Sequence, residues 1–364
     1  MKKIFSYLLL AAMAMTITSC EETTTVTPDG SDTSAENNTG ISGVFVLNYG
    51  SWGSNDSSLS FNDGESTTNN LFYSANGRLL GSGANDMVVY GEKIFISVST
   101  SDVIYVTDLE GDMITSISNS EYKTPRNVIE HDGKIYATYY FSNDASVATG
   151  GVAMIDPVSY TVTSAAAGQY PEGLAVAYGK LYVANSGYGY GTTLSVYDPS
   201  TLAYEKDVDV AANPNWLEAS EDGSALYLIT LGDYYDVPAM LHSIASDGTV
   251  TALSSPEGMS PGEMALGADG ELQVLCGVYD KDWNYSGDIY TYNASTGALV
   301  GKFITDKTTL ADPYKISAST STGQVALLTS PSKSEGSAII FDAAGKKENS
   351  FDVGLSPIKA CFVE

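Results

Sequence analysis

The chain has 364 residues, with 44 Asp and Glu against 17 Lys and Arg and a net charge of -27 at pH 7. That charge repels phosphate backbones, so a nucleic-acid partner or an anionic membrane surface would need a local basic patch, and the sequence has none. Two histidines exclude a His-rich metal centre, and 43% apolar residues against 17% charged exclude a disordered acidic chain. What stands out is 25 Tyr and 35 Gly, a composition suited to many short strands joined by tight turns.

The N-terminus reads as a targeting segment. Lys2 and Lys3 precede an apolar stretch over residues 4–15, and Ile17-Thr18-Ser19-Cys20 follows. The run is too short to span a bilayer and has the layout of a secretory signal. Its Ile-Thr-Ser-Cys ending resembles the bacterial lipobox, which implies cleavage after residue 19 and lipidation of Cys20. Removing residues 1–19 takes two lysines with it and deepens the charge from -27 to -29. Residues 20–42 are then the lipidated cysteine and a polar tether without periodicity. Glu21 and Glu22 resemble the acidic export signal of Bacteroidetes surface lipoproteins, which implies an outer-membrane anchor with the body facing the cell exterior.

From residue 83 onward one unit recurs. It starts at Gly83, Pro125, Pro171, Pro214, Pro261, Pro313 and Pro357, at intervals of about 46 residues. Each unit reads as four short strands. The second strands are IFISVS, IYATYY, LYVANS, LYLIT, LQVLC and VALLT; the third are VIYVTD, VAMIDP, LSVYDP, LHSIAS, IYTYNA and AIIFDA. After Pro357 only enough chain remains for one strand, while GVFVLNYG and SLSFND at the start of the body match strands two and three. Residues 43–364 are therefore expected to form an all-β, seven-bladed β-propeller whose last blade is closed by strands from both termini, leaving no open sheet edge.

Loop lengths divide the two faces. Turns between strands one and two (HDGK, YGK, EDG) and between strands three and four (DPSTL, SDG, AAGK) are short, whereas the connections between strands two and three are long and variable. Variable loops on a rigid scaffold are where recognition usually sits. The aromatic residues expected on this elaborate face are Tyr49, Trp52, Tyr139, Tyr140, Tyr188, Tyr190, Trp216, Tyr234, Tyr235, Tyr279, Trp283 and Tyr285. About half of them should pack between blades, leaving a broad neutral platform. Polar residues early in the first strands (Asn85, Asp86, Arg126, Asn127, Glu172, Asn215, Glu263, Lys315, Lys359) should ring the channel, either orienting a ligand at the axis or bonding one another. Tyr49, Trp52, Arg126, Tyr139, Tyr140, Tyr188, Tyr190, Asn215, Trp216, Tyr234, Tyr235, Trp283 and Tyr285 are the candidate ligand-binding residues.

Signs of catalysis are thin. His131 falls in a plain-face turn and His242 begins a third strand, so no nucleophile triad forms on the elaborate face. Cys276 and Cys361 belong to nonadjacent blades and read as buried free thiols. Asp-Gly pairs sit in tight turns, where turn chemistry accounts for them without calcium. Glu172, Glu263, Asn215 and Asp86 could be arranged around an axial metal, which keeps a metal-dependent propeller lactonase as an alternative. The expectation is a non-enzymatic protein without a resident cofactor or metal.

PEGLAVAYGKLYVANSG, VYDPSTL and NYGSWGSNDSSLSFND together resemble the YncE-like propeller lipoproteins of Bacteroidetes, and within them the BtuG-type surface lipoproteins. The resemblance runs over nearly all of residues 43–364. It implies capture of cobalamin or a related corrinoid and delivery to a TonB-dependent outer-membrane transporter of the BtuB type. A glycan-binding lipoprotein of an uptake system would use loop aromatics in the same way and is the other alternative.

Overall fold

The computed structural model describes residues 42–142, 149–233, 236–281, 285–331 and 334–364. Residues 1–41, with the expected leader, Cys20 and nearly all of the expected tether, lie outside them, as do Tyr234, Tyr235 and Trp283. Among the described residues no helix is long and apolar enough to cross a membrane.

Seven four-stranded antiparallel sheets form the body, and they are the seven blades expected from the repeat. Blade four shows the unit: Pro171–Ala177, Lys180–Asn185, Thr193–Tyr197 and Tyr204–Asp209, hydrogen-bonded in that order. The first strand of each blade is innermost and the fourth outermost. In blade four the inner strand is buried along its whole length, while the outer strand exposes all but Val208. Burial on both faces explains why the second strands read as continuous Val, Ile, Leu and Tyr runs rather than alternating ones.

Blade one closes the ring. Its inner strand is the C-terminal Pro357–Val363, paired with Gly43–Asn48, which pairs in turn with Ser58–Asn62. The fourth position holds only Thr67–Thr68, and the short helix Leu71–Asn76 follows it, burying Phe72 in the core shared with blade two. The remaining inner strands are Ala84–Tyr90, Tyr122–His131, Pro214–Ala219, Ser260–Leu266 and Pro313–Ala318.

Hydroxyl groups pin neighbouring blades together. Thr138 Oγ1 donates to the Glu172 carbonyl at 2.8 Å, and Ser99 Oγ does the same to the Pro125 carbonyl, each crossing from a second strand to the next inner strand. On the plain side tyrosine hydroxyls reach the next blade: Tyr136 to the Pro199 carbonyl at 2.9 Å and Tyr227 to that of Ala294 at 2.8 Å. Much of the tyrosine excess is therefore structural, an apolar body with one polar tip that finds a carbonyl. The hairpin turns are capped by their own side chains. Asp156 accepts from the Val158 and Ser159 amides, Asp198 from Ser200 and Thr201, and Asn293 from Ser295 and Thr296.

Candidate functional site

The inner strands share one irregularity. Each has a register shift against its second strand just after its start: between Ala84 and Asp86, Pro125 and Val128, Pro171 and Leu174, Pro214 and Trp216, Pro261 and Glu263, Pro313 and Lys315, and at Leu47/Asn48 opposite Ile358. A bulge sets two residues opposite one and re-aims the side chains there. The proline supports it, since an inner strand has no ladder partner on its channel side and loses nothing by lacking an N–H. Thr124, Tyr170, Asn213, Asp312 and Ser356, each directly before the proline, take positive φ as the chain turns in from the loop face.

Seven bulges around one axis produce a ring of polar side chains at the loop-face end of a channel of about 1010 Å³. All nine residues expected to ring the axis line it: Asn85, Asp86, Arg126, Asn127, Glu172, Asn215, Glu263, Lys315 and Lys359. They are mostly paired with one another. Arg126 grips the Glu172 carboxylate through Nε at 3.1 Å and Nη2 at 3.1–3.3 Å, and stacks on Tyr140 with its guanidinium 4.4 Å from the ring centre. Tyr140 closes that triangle by donating its hydroxyl to Glu172. Across the axis Lys315 bonds Glu263 and sits 4.0 Å above the Trp216 ring. The channel mouth thus holds two copies of one device, a cation between a carboxylate and an aromatic face.

The third cation of the ring is Lys359. Lys359 stands 3.9 Å from Asp86, which also accepts from the Val128 amide at 3.0 Å and the Asn127 side chain at 3.4 Å. Burial works against the Lys359 ammonium, yet Asp86, Glu218 and Glu263 together hold its pKa above the ordinary value. Glu218 is the odd member. It lines the channel with no hydrogen-bond partner among the described residues, and burial, against a countering Lys359 and with Glu263 and Asp86 adding repulsion, raises its carboxyl to about 7.

The aromatic candidates separate. Tyr49, Trp52 and Trp216 line the channel with Arg126 and Asn215. Trp52 is 88% exposed at the rim. Tyr140 and Tyr188 line a second pocket of about 300 Å³ that opens beside the channel and shares Glu172 and Asn215 with it. Tyr190 is exposed but borders neither cavity. Tyr139 is corrected from ligand-binding to core. The second strand of blade three runs on through Ser142, so Tyr139 is still in the ladder opposite Pro125 and Gly151, buried with Tyr122 at 6.5 Å. Tyr285 likewise belongs to a longer strand, Tyr285–Asn293, and packs on Tyr279 at 4.9 Å outside the residues lining either cavity.

Four residues of the site are not among the candidates the sequence offers. Tyr314 lines the mouth from the slot after a proline, the slot that holds Arg126, Glu172 and Asn215 in other blades, and that equivalence was the signal. Tyr170 and Phe141 join Tyr140 and Tyr188 in an aromatic cluster with ring centres 5.2–6.0 Å apart. Glu218 occupies the register position that is Val88, Ile129, Ala175, Ala265, Ser317 or Cys361 in the other blades. It is the one acid of that layer.

His242, Cys276 and Cys361 lie in separate blades. His242 is buried with Nε2 3.0 Å from Thr230 Oγ1, and burial lowers its pKa. Cys276 and Cys361 are free thiols in nonadjacent blades. Among the described residues no three His, Cys, Asp or Glu side chains stand together as metal ligands. Glu172, Glu263 and Asp86 each face a cation of the protein instead.

No protein-family model matches this sequence, and no curated protein matches it. Solved structures do match. A periplasmic gluconolactonase of Pseudomonas aeruginosa is 16% identical with a TM-score of 0.62 over 89% of this chain and 99% of that one. A protein of unknown function from Desulfotomaculum acetoxidans is 10% identical, with a TM-score of 0.62 over 88% and 98%. A putative 6-phosphogluconolactonase from Bacteroides fragilis is 13% identical, with a TM-score of 0.61 over 92% and 100%. At these identities the likeness is one of fold, the β-propeller.

Proposed function

We propose that this propeller captures a large, near-neutral ligand at the loop-face mouth of its channel, that the ligand is cobalamin or a related corrinoid, and that lipid on Cys20 holds the body at the outer membrane for hand-over to a TonB-dependent transporter of the BtuB type. The observation that carries the capture is the mouth itself. Tyr49, Trp52, Trp216 and Tyr314 surround it, and its cations Arg126 and Lys315 are already neutralised by Glu172 and Glu263. Such a surface offers apolar area and hydrogen-bonding edges without a net charge, which suits an apolar macrocycle bearing peripheral amides. The corrinoid, the anchor and the transporter rest on the resemblance and on the leader.

Absorbance titration of the purified protein with cyanocobalamin tests this. Trp216→Ala should weaken binding by roughly 10- to 100-fold, the loss of one central aromatic anchor. Val158→Ala, at an exposed plain-face turn, should leave it unchanged. Absence of saturable binding by the unaltered protein would sink the corrinoid.

One observation favours a second reading, a lactone hydrolase. Glu218, unpartnered in the channel and raised to about 7, has the proton affinity of a general base. Lactone hydrolysis lost in Glu218→Gln and kept in Trp216→Ala would move the assignment there.

A further inference from the structure

The side pocket has features the corrinoid reading does not use. We infer that it is a separate subsite for one neutral pyranose ring, a hexose or N-acetylhexosamine unit, seated against Tyr188 and hydrogen-bonded by Asn213 and Glu172.

Three blades build it: Tyr140 from blade three, Glu172, Ser186 and Tyr188 from blade four, and Asn213 with Asn215 from the entry to blade five. Its volume of about 300 Å³ equals that of about ten water molecules, room for a single ring of about a dozen heavy atoms. Asn213 is 1% exposed and lines the pocket, yet its side-chain nitrogen has no hydrogen-bond partner among the described residues. A buried donor left unpaired is costly, so a group that persists in that state on the wall of a cavity points to an acceptor supplied from outside. Glu172 provides the complementary acceptor on the same wall, with its charge balanced by Arg126.

The aromatic wall is held with some strain. Tyr188 takes φ 55 and ψ 44, a left-handed conformation unfavourable for a bulky residue, and the Ser186 hydroxyl accepts its amide at 3.3 Å. Its ring is 72% exposed and braced from behind by Tyr170 at 5.4 Å, which leans on Tyr140 and Phe141. Strain retained to present an exposed ring marks a position selected for contact. A pyranose has what this pocket asks for: an apolar C–H face for the tyrosine and alternating hydroxyl donors and acceptors at its edge. An anionic sugar is disfavoured because no cationic side chain lines the pocket among the described residues.

Saturation-transfer NMR and calorimetric titration of the intact protein with glucose, galactose, mannose, N-acetylglucosamine, glucuronate and adenosine form the test. At least one neutral sugar should saturate at millimolar concentration, glucuronate should not, and the sugar should compete with neither cyanocobalamin nor the effects of Trp216→Ala. Asn213→Gly and Tyr188→Asn both tolerate the left-handed backbone, and each should weaken the sugar by about tenfold or more with an unchanged circular dichroism spectrum. Saturation by adenosine alone, by no compound, or by a sugar whose affinity survives both substitutions overturns the inference. Because cobalamin binding is read separately by Trp216→Ala, failure here leaves the corrinoid proposal standing, and the reverse.

Discussion

Glu218→Gln should stabilise the protein, and only above a definite pH. The folded state holds the Glu218 proton more tightly than the unfolded chain does, with a pKa near 7 against an ordinary 4.5. Below pH 4.5 both states are protonated and the group costs nothing. Between 4.5 and 7 the unfolded chain ionises first, so stability falls as pH rises, and above 7 the full penalty of a poorly solvated carboxylate is present. A shift of this size corresponds to about 3 kcal/mol. The channel is open to water at the loop face, so about 1–3 kcal/mol is the range to expect. For a body of about 320 residues the unfolding entropy is roughly 0.7 kcal/mol/K, which turns this into a rise in Tm of about 1–4 °C. Gln keeps the shape and mimics the protonated acid. Thermal melts of the two proteins between pH 4 and 9 should give a difference near zero at pH 4.5 that grows through pH 7 and then levels off. A difference that is independent of pH, or negative at pH 8.5, would refute the assignment of Glu218 as the strained acid of the channel.

Three further outcomes follow from the packing. Tyr139→Ala should cost about 3–5 kcal/mol of stability because it empties an interblade core site, whereas Tyr139→Phe should leave ligand binding at the mouth unaltered, since that ring never reaches it; equilibrium denaturation and the cobalamin titration read the two. Thr138→Val removes the hydroxyl that both donates to the Glu172 carbonyl and accepts the Asn127 amide at 3.1 Å; a loss of about 1–3 kcal/mol is expected, measured by urea midpoint at constant slope. Deleting residues 357–364 strips blade one of its inner strand and leaves Gly43–Asn48 with an unpaired edge, so the truncated protein should aggregate at concentrations where the full chain is monodisperse, as light scattering would record.

The blade count and the ring closure could be read from the sequence because proline and burial both leave strong marks. An inner-strand start tolerates a residue without an N–H, and a second strand buried on both faces must be apolar throughout. The polar ring was legible for the same reason, since every one of its members follows a blade start by one to three residues. Strand ends were not legible. LYVANS stops where Asn185 and Ser186 turn, but IYATYYFS continues, because Phe141 and Ser142 still find partners in Lys123 and Tyr122. Tyr139 therefore lies within the ladder and short of the loop. Bulges hide too: strict alternation would send only one of Arg126 and Asn127 to the axis, and the inserted residue sends both. Glu218 needed the register of seven blades at once before a single acid among small and apolar residues could be noticed.

The opening charge imbalance says little about the binding face. Acids such as Asp156, Asp198 and Asp342 are consumed by hairpin turns, where their carboxylates accept backbone amides. The mouth instead gathers Arg126, Lys315 and Lys359, three of the 17 cations of the chain, onto one ring and balances each with a carboxylate. Beyond a Debye length of about 8 Å at physiological salt the acidic body is largely screened, so a ligand arriving at the mouth meets compensated pairs and aromatic faces rather than the mean field of the protein. An acidic propeller can therefore present a locally neutral site.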